Sequence, residues 1–187
     1  MEIRQAQPDD ATQIAPLVGM IYRDMEMPIL RTVSRVDLLA MLTNLYEKKE
    51  NLTGLAQTFV AAKGAKVFGV AFGHPAENEI KVNQLLQQVS AAQPGFPGPL
   101  VLGGESQPGE WYLSMLAVDP QAQGQGIGSQ LLDALPKLVA PQGAAKLSLN
   151  VDDGNPGAAK LYRRQGFEKA GELTIGIHPY AHMIKAI

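Results

Sequence analysis

Gln123-Gly124-Gln125-Gly126-Ile127-Gly128-Ser129 is the stretch on which the reading of this chain turns. It follows the apolar run Trp111–Val118 and precedes a segment with Leu131, Leu132, Leu135, Leu138 and Val139 at helical spacing, bent at Pro136. A strand, a glycine-rich turn and an amphipathic helix are therefore expected in succession. The first N–H groups of a helix have no partner within it, and the helix dipole makes that end positive. Glycines let an anion approach the backbone with no Cβ in the way. The stretch is chemically suited to a phosphate or pyrophosphate. It lacks the Gly-Lys-Ser/Thr of a nucleotide-hydrolysing loop, because Ser129 and Gln130 follow Gly128. It reads Gly-x-Gly-x-Gly, and a dinucleotide fingerprint needs Gly-x-Gly-x-x-Gly beside a first strand.

Outward from this point, Trp111, Leu113, Met115 and Ala117 alternate on one face of the strand. Tyr112, Leu116 and Val118 share the other, with Ser114 as its only polar member. Apolar character on both faces predicts a central strand. Upstream, residues 2–6 read as a strand and Pro8 as a helix start. Ile14, Leu17, Val18 and Ile21 continue that helix, with Pro16 as a kink or a new start. Ser34 caps a second helix with Leu38, Met41, Leu42 and Leu45 on its face, and 58–62 and 66–72 form a hairpin around Lys63-Gly64-Ala65. Residues 77–92 form a helix with Val82, Leu85, Leu86 and Val89 inward; the Pro/Gly-rich stretch 93–109 is loop. Downstream come a strand over 146–151, a helix capped by Asn155 and closed near Gly166, and last strands at 167–172 and 182–187.

Composition bounds the function. There are 187 residues, enough for one domain, with 18% charged residues and a net charge of −2, which argue against disorder and against a basic nucleic-acid-binding face. No cysteine is present, so disulfides, thiolate nucleophiles and zinc–cysteine sites are excluded, and three histidines are too few for a multi-histidine metal site. No apolar run suits a membrane span and no signal peptide is legible, so a soluble cytoplasmic protein is expected.

Two spaced blocks resemble the GNAT superfamily of N-acyltransferases, which use acetyl-CoA. One is Leu116-Ala117-Val118-Asp119-Pro120 followed by Gln123-Gly124-Gln125-Gly126-Ile127-Gly128. The other is the strand Leu147–Val151 with Asn155, then Tyr162 seven residues on and Gly166-Phe167 after it. The resemblance is strong across 111–172. It implies an α/β (α+β) fold: a central mixed, mostly antiparallel twisted sheet of about seven strands flanked by helices and splayed between the fourth and fifth strands. The chain is then a single domain over 1–187, with 75–109 inserted before the central strand.

The resemblance also implies roles. Gln123, Gly124, Gln125, Gly126, Ile127, Gly128 and Ser129 would hold the CoA pyrophosphate. The main chain of Leu116, Ala117 and Val118 would pair with the pantetheine arm, and an N–H there would polarise the thioester carbonyl. Asn155 would line the CoA channel, and Tyr162 would bind the cofactor and protonate the departing thiolate. Many family members carry an acid where this chain has Tyr112, so the general base is left among Glu110, Asp24, Glu26, His182 and water. The implied activity is transfer of an acetyl group from acetyl-CoA, by direct attack, to a primary amine of a small molecule or peptide. No metal, nucleic acid or membrane takes part, and a homodimer is compatible because many family members are dimers. A non-catalytic acyl-CoA sensor on the same fold and a Rossmann-type oxidoreductase are the rival readings.

Overall fold

The computed structural model describes residues 1–187, apart from the side chain of Gln142. In chain order the elements are β1 (Glu2–Gln5), α1 (Ala11–Asp24), α2 (Arg35–Glu47), α3 (Lys49–Leu52), β2 (Gln57–Lys63), β3 (Lys66–Pro75) and α4 (Glu79–Ala92). They continue with β4 (Trp111–Val118), α5 (Ile127–Val139), β5 (Lys146–Asp152), α6 (Pro156–Arg164), β6 (Glu168–Ile175) and β7 (His178–Ala186). The seven strands form one sheet in the order β1-β2-β3-β4-β5-β7-β6. All neighbours are antiparallel except β4 and β5. No helix among the described residues is long and apolar enough to cross a membrane.

Helices cover both faces. α1, α2 and α4 bury Ile14, Val18, Leu42, Val82 and Leu86 on one side; α5 buries Leu131, Leu132, Leu135 and Val139 on the other. The apolar stripes read from sequence in α1, α2, α4 and α5 face the sheet, with Ile21, Leu85 and Leu138 only partly buried. Both internal prolines, Pro16 and Pro136, stay within their helices, and α1 starts at Ala11 rather than at Pro16. Ser34 accepts the N–H of Asp37 at 3.1 Å and caps α2 as expected.

The central strand corrects the alternation read from sequence. Phe72 pairs with Met115 and Gly73 with Leu113, so Ser114 is an extra residue on β4, a β-bulge. Past it every side chain changes face. Trp111 and Leu113 pack with α5, whereas Met115 and Ala117 join the core under α1.

Segment 75–109 is tied into the body. Leu100 is fully buried, and its N–H donates to Ser90 Oγ at 2.8 Å. Glu79 accepts the N–H of Glu105 at 2.7 Å and the hydroxyl of Ser106 at 2.8 Å, which leads the chain back to the start of β4.

Candidate active site

β4 and β5 pair only at Trp111–Leu147 and Tyr112–Ser148 and then diverge. From Ser114 onward the edge of β4 facing β5 has no strand partner, and a groove runs through the opening. One half, about 750 Å³, is walled by β4, the glycine turn and α6. The other, about 440 Å³, is walled by β4, β5, the end of α1 and the start of β7. Leu116, Asn155, Ala158 and Tyr162 line both halves and form the waist between them.

The chemistry of the first half suits an anion. Gly124 and Gly126 both have φ of 77°, a left-handed conformation that side chains resist, so the turn requires glycine at these two points. It delivers the chain into α5 with no side-chain cap, and the first backbone bond of that helix runs from Gln130 N–H to Gly126. The N–H groups of Ile127, Gly128 and Ser129 therefore lack helical partners. Arg164 lines the same half, and no Asp or Glu does. The second half carries the opposite sign: Asp24 and Asp152 line it, with no Lys or Arg.

A family model described as the acetyltransferase (GNAT) family matches residues 31–167. The chain belongs to the GNAT acetyltransferase family. Among solved structures, an acetyltransferase is 37% identical over 100% of both chains, with a TM-score of 0.82. An N-acetyltransferase from Staphylococcus aureus Mu50 is 27% identical, over 99% of this chain and 100% of that one, with a TM-score of 0.78. The PaiA N-acetyltransferase from Thermoplasma acidophilum, solved with coenzyme A, shares the fold at 15% identity. That match covers 100% of this chain and 98% of the other, with a TM-score of 0.61.

Within this GNAT groove, Leu116, Val118, Gln123, Gly124, Gly126, Ile127, Gly128, Ser129, Asn155 and Tyr162 all line the first half. Two residues named with them do not. Ala117 turns its side chain into the core under α1, beyond the bulge, and Gln125 is exposed outside the lining. Asn155 Oδ1 accepts the N–H of Ala158 at 3.0 Å, so it caps α6 while facing the groove. The Tyr162 ring stands edge-on to Phe167 with centroids 6.0 Å apart, and burial pushes its hydroxyl up to about 12.

The base candidates separate. Asp24 lines the second half of the groove. Glu26 stands beside it, 3.8 Å from His178 Nε2, and lines a neighbouring apolar pocket. Glu110 and His182 are 8% and 7% exposed, line neither half, and face each other at 3.2 Å. The hydrogen bonds behind them are determined. Asn150 Nδ2 donates to the Glu105 carbonyl at 3.0 Å and to the Tyr112 hydroxyl at 3.1 Å. Asn150 Oδ1 must then accept from His182 Nδ1 at 2.7 Å, which turns His182 Nε2 towards Glu110 Oε1 at 3.2 Å. Tyr112 in turn donates to Glu105 Oε2 at 2.6 Å. Burial pushes the Glu105 carboxyl up, against the Tyr112 hydrogen bond, which lowers it.

Asn150, Asp152, Arg164, His178 and Tyr180 were not legible as site residues. The last two lie on a hairpin longer than expected: β6 and β7 run to Ile175 and from His178, leaving only Gly176 and Ile177 at the tip. Pro179 and Gly176 obscured it. The signal that remained is the period-two series His178, Tyr180, His182. Burial, then the charges of Asp152, Glu105 and Asp24, push the Tyr180 hydroxyl up to about 12.

Proposed function

We propose that the groove carries acetyl-CoA-dependent N-acetylation of a primary amine. The observation that carries this is one continuous groove of two opposite electrical characters, joined at a waist that includes Tyr162. The half with uncapped N–H groups and Arg164 suits the pyrophosphate of acetyl-CoA, and the unpaired edge of β4 suits its amide-bearing arm. A protein of the same fold has been solved with coenzyme A, which supports CoA as the ligand. Acetyl-CoA supplies the thioester: the amine nitrogen bonds to the acetyl carbon, the C–S bond breaks, and the products are the acetamide, free CoA thiol and no net redox change.

The chain's own residues then have defined tasks. A backbone N–H on the free edge of β4 polarises the carbonyl where negative charge develops. Tyr162, raised to about 12, is protonated at neutral pH and can donate to the leaving sulfur. Against a reference thiol near 8.5, full proton transfer is uphill by about 5 kcal/mol. Burial at the waist raises the thiol as well and narrows that gap. Water in the open second half takes the proton lost by the amine.

Release of free thiol from acetyl-CoA across a panel of primary amines tests the reading, together with thermal stabilisation by CoA, NADH and ATP. Selective stabilisation by CoA with amine-dependent thiol release is expected. Stabilisation by CoA without thiol release from any amine would favour the acyl-CoA sensor.

A further inference from the structure

The second half of the groove concentrates carboxylates without the cations that normally accompany them. Asp24 and Asp152 line it and Glu26 adjoins it, yet no Lys or Arg pairs with any of the three among the described residues. The one group there able to become positive is His178, 3.8 Å from Glu26 and 3.9 Å from Asp152; its Nε2 is buried without a hydrogen-bond partner. Two placements run against ordinary preference. Asp24 ends α1, at the negative pole of a 14-residue helix, where a carboxylate is disfavoured. Glu26 has φ of 50°, the one non-glycine residue with positive φ among those described. Behind this wall Glu105 is 9% exposed, and its Oε1 has no hydrogen-bond partner.

Such a field is wrong for a lone amine. Nearby negative charge stabilises the ammonium form, and only the neutral amine attacks. The arrangement becomes productive when the positive charge and the nucleophile are different atoms of one molecule. A second ammonium on the same acceptor also lowers the affinity of the reacting nitrogen for its proton.

We propose that the acceptor is a primary amine bearing a second positive charge on an aliphatic spacer, with Asp24 and Asp152 holding the distal ammonium while the reacting nitrogen faces Tyr162. The spacer lies against Ile21, Met25 and Leu116, which supply apolar wall between the acids and the waist. Amino acids are disfavoured because their carboxylate meets the same acids. This inference rests on the acyl-transfer reading of the groove.

The test compares diaminopropane, diaminobutane and diaminopentane with propylamine, butylamine and pentylamine. For each, kcat/KM is measured by thiol release in the wild type and in Asp24→Asn and Asp152→Asn. The diamines should exceed their monoamine counterparts by about tenfold or more, the worth of one charge-assisted contact. That ratio should fall towards one in the Asn variants, with stabilisation by CoA unchanged. Calorimetric titration of diaminopentane and pentylamine into the CoA-saturated wild type needs no turnover and no variant; saturable binding of the diamine alone is expected. Equal kcat/KM for the two series, a ratio unmoved by both substitutions, or no preference in the titration each overturns the proposal. Absence of stabilisation by CoA in the wild type overturns the acyl-transfer reading instead.

Discussion

Replacing Gly128 with alanine should move stability and ligand binding in opposite directions. Gly128 is the second residue of α5, its φ is not positive, and an added Cβ would meet Leu161 Cδ2 at 3.5 Å and Val118 Cγ2 at 3.8 Å, ordinary contacts. Alanine here restricts the unfolded chain and favours the helix, gains of about 0.4–1 kcal/mol. For a chain of this size that raises Tm by about 1–4 °C. The new methyl, however, stands on the groove wall between Val118 and Leu161, next to N–H groups that an anion must reach. Losing one charge-assisted hydrogen bond costs about 1.5–3 kcal/mol, a factor of ten or more in Kd. CoA at about 100 times the wild-type Kd stabilises by roughly 2.7 kcal/mol, a rise of about 5–11 °C. At the same CoA concentration a tenfold weaker variant gains roughly 1.4 kcal/mol, about 3–6 °C. Thermal unfolding with and without CoA reads both effects in one experiment. A variant that gains as much from CoA as the wild type would refute the assignment of this helix start to the pyrophosphate.

Gly126→Asp combines a side chain in a left-handed position, costing about 1–2 kcal/mol, with a negative charge in the half proposed to take the pyrophosphate; stabilisation by CoA should disappear in the same unfolding assay. Tyr162→Phe should keep stabilisation by CoA and lose about 10²–10⁴-fold in turnover by thiol release. Because burial raises the Tyr162 hydroxyl to about 12, the acid form persists as pH rises, so wild-type kcat/KM should climb as the amine deprotonates and show no loss from Tyr162 below about pH 11. Leu100→Ala should cost about 2–5 kcal/mol by denaturant unfolding, because Leu100 is fully buried in the core that α1, α2 and α4 share; an unchanged midpoint would mean that 93–109 lies on the surface.

The glycine turn was readable because its chemistry is local: left-handed backbone at Gly124 and Gly126 leaves few residue choices, and a helix start follows at once. The Asn155 cap was readable for the same reason. The faces of β4 were not, since period-two reasoning assumes an unbroken ladder and the extra residue at Ser114 exists only in the pairing with β3. Gly73 is part of that local fit: an added Cβ there would lie 2.3 Å from the Trp111 ring. The second half of the groove was illegible for another reason. Asp24, Asn150, Asp152 and Tyr180 come from the end of one helix and from two strands, and only the splay of β4 from β5 brings them to one wall. Glu110 and His182 were legible as titratable groups, but their burial against each other depends on strands far apart in the chain.

The bulge at Ser114 also bears on which length changes the gene can tolerate. The ladder with β3 counts Ser114 as surplus, so removing it would leave Met115 and Ala117 beneath α1 and Leu116 and Val118 on the groove wall, but would take away the local bend at the point where the edge of β4 loses its partner. Substitution at position 114 changes one side chain, whereas deletion removes the bend and leaves the contents of the two cores as they are. Among descendants of this sequence, position 114 should therefore vary in identity, and its loss should disturb the groove before it disturbs the cores. Residues 111 and 113 should drift in step with α5, and residues 115 and 117 in step with α1.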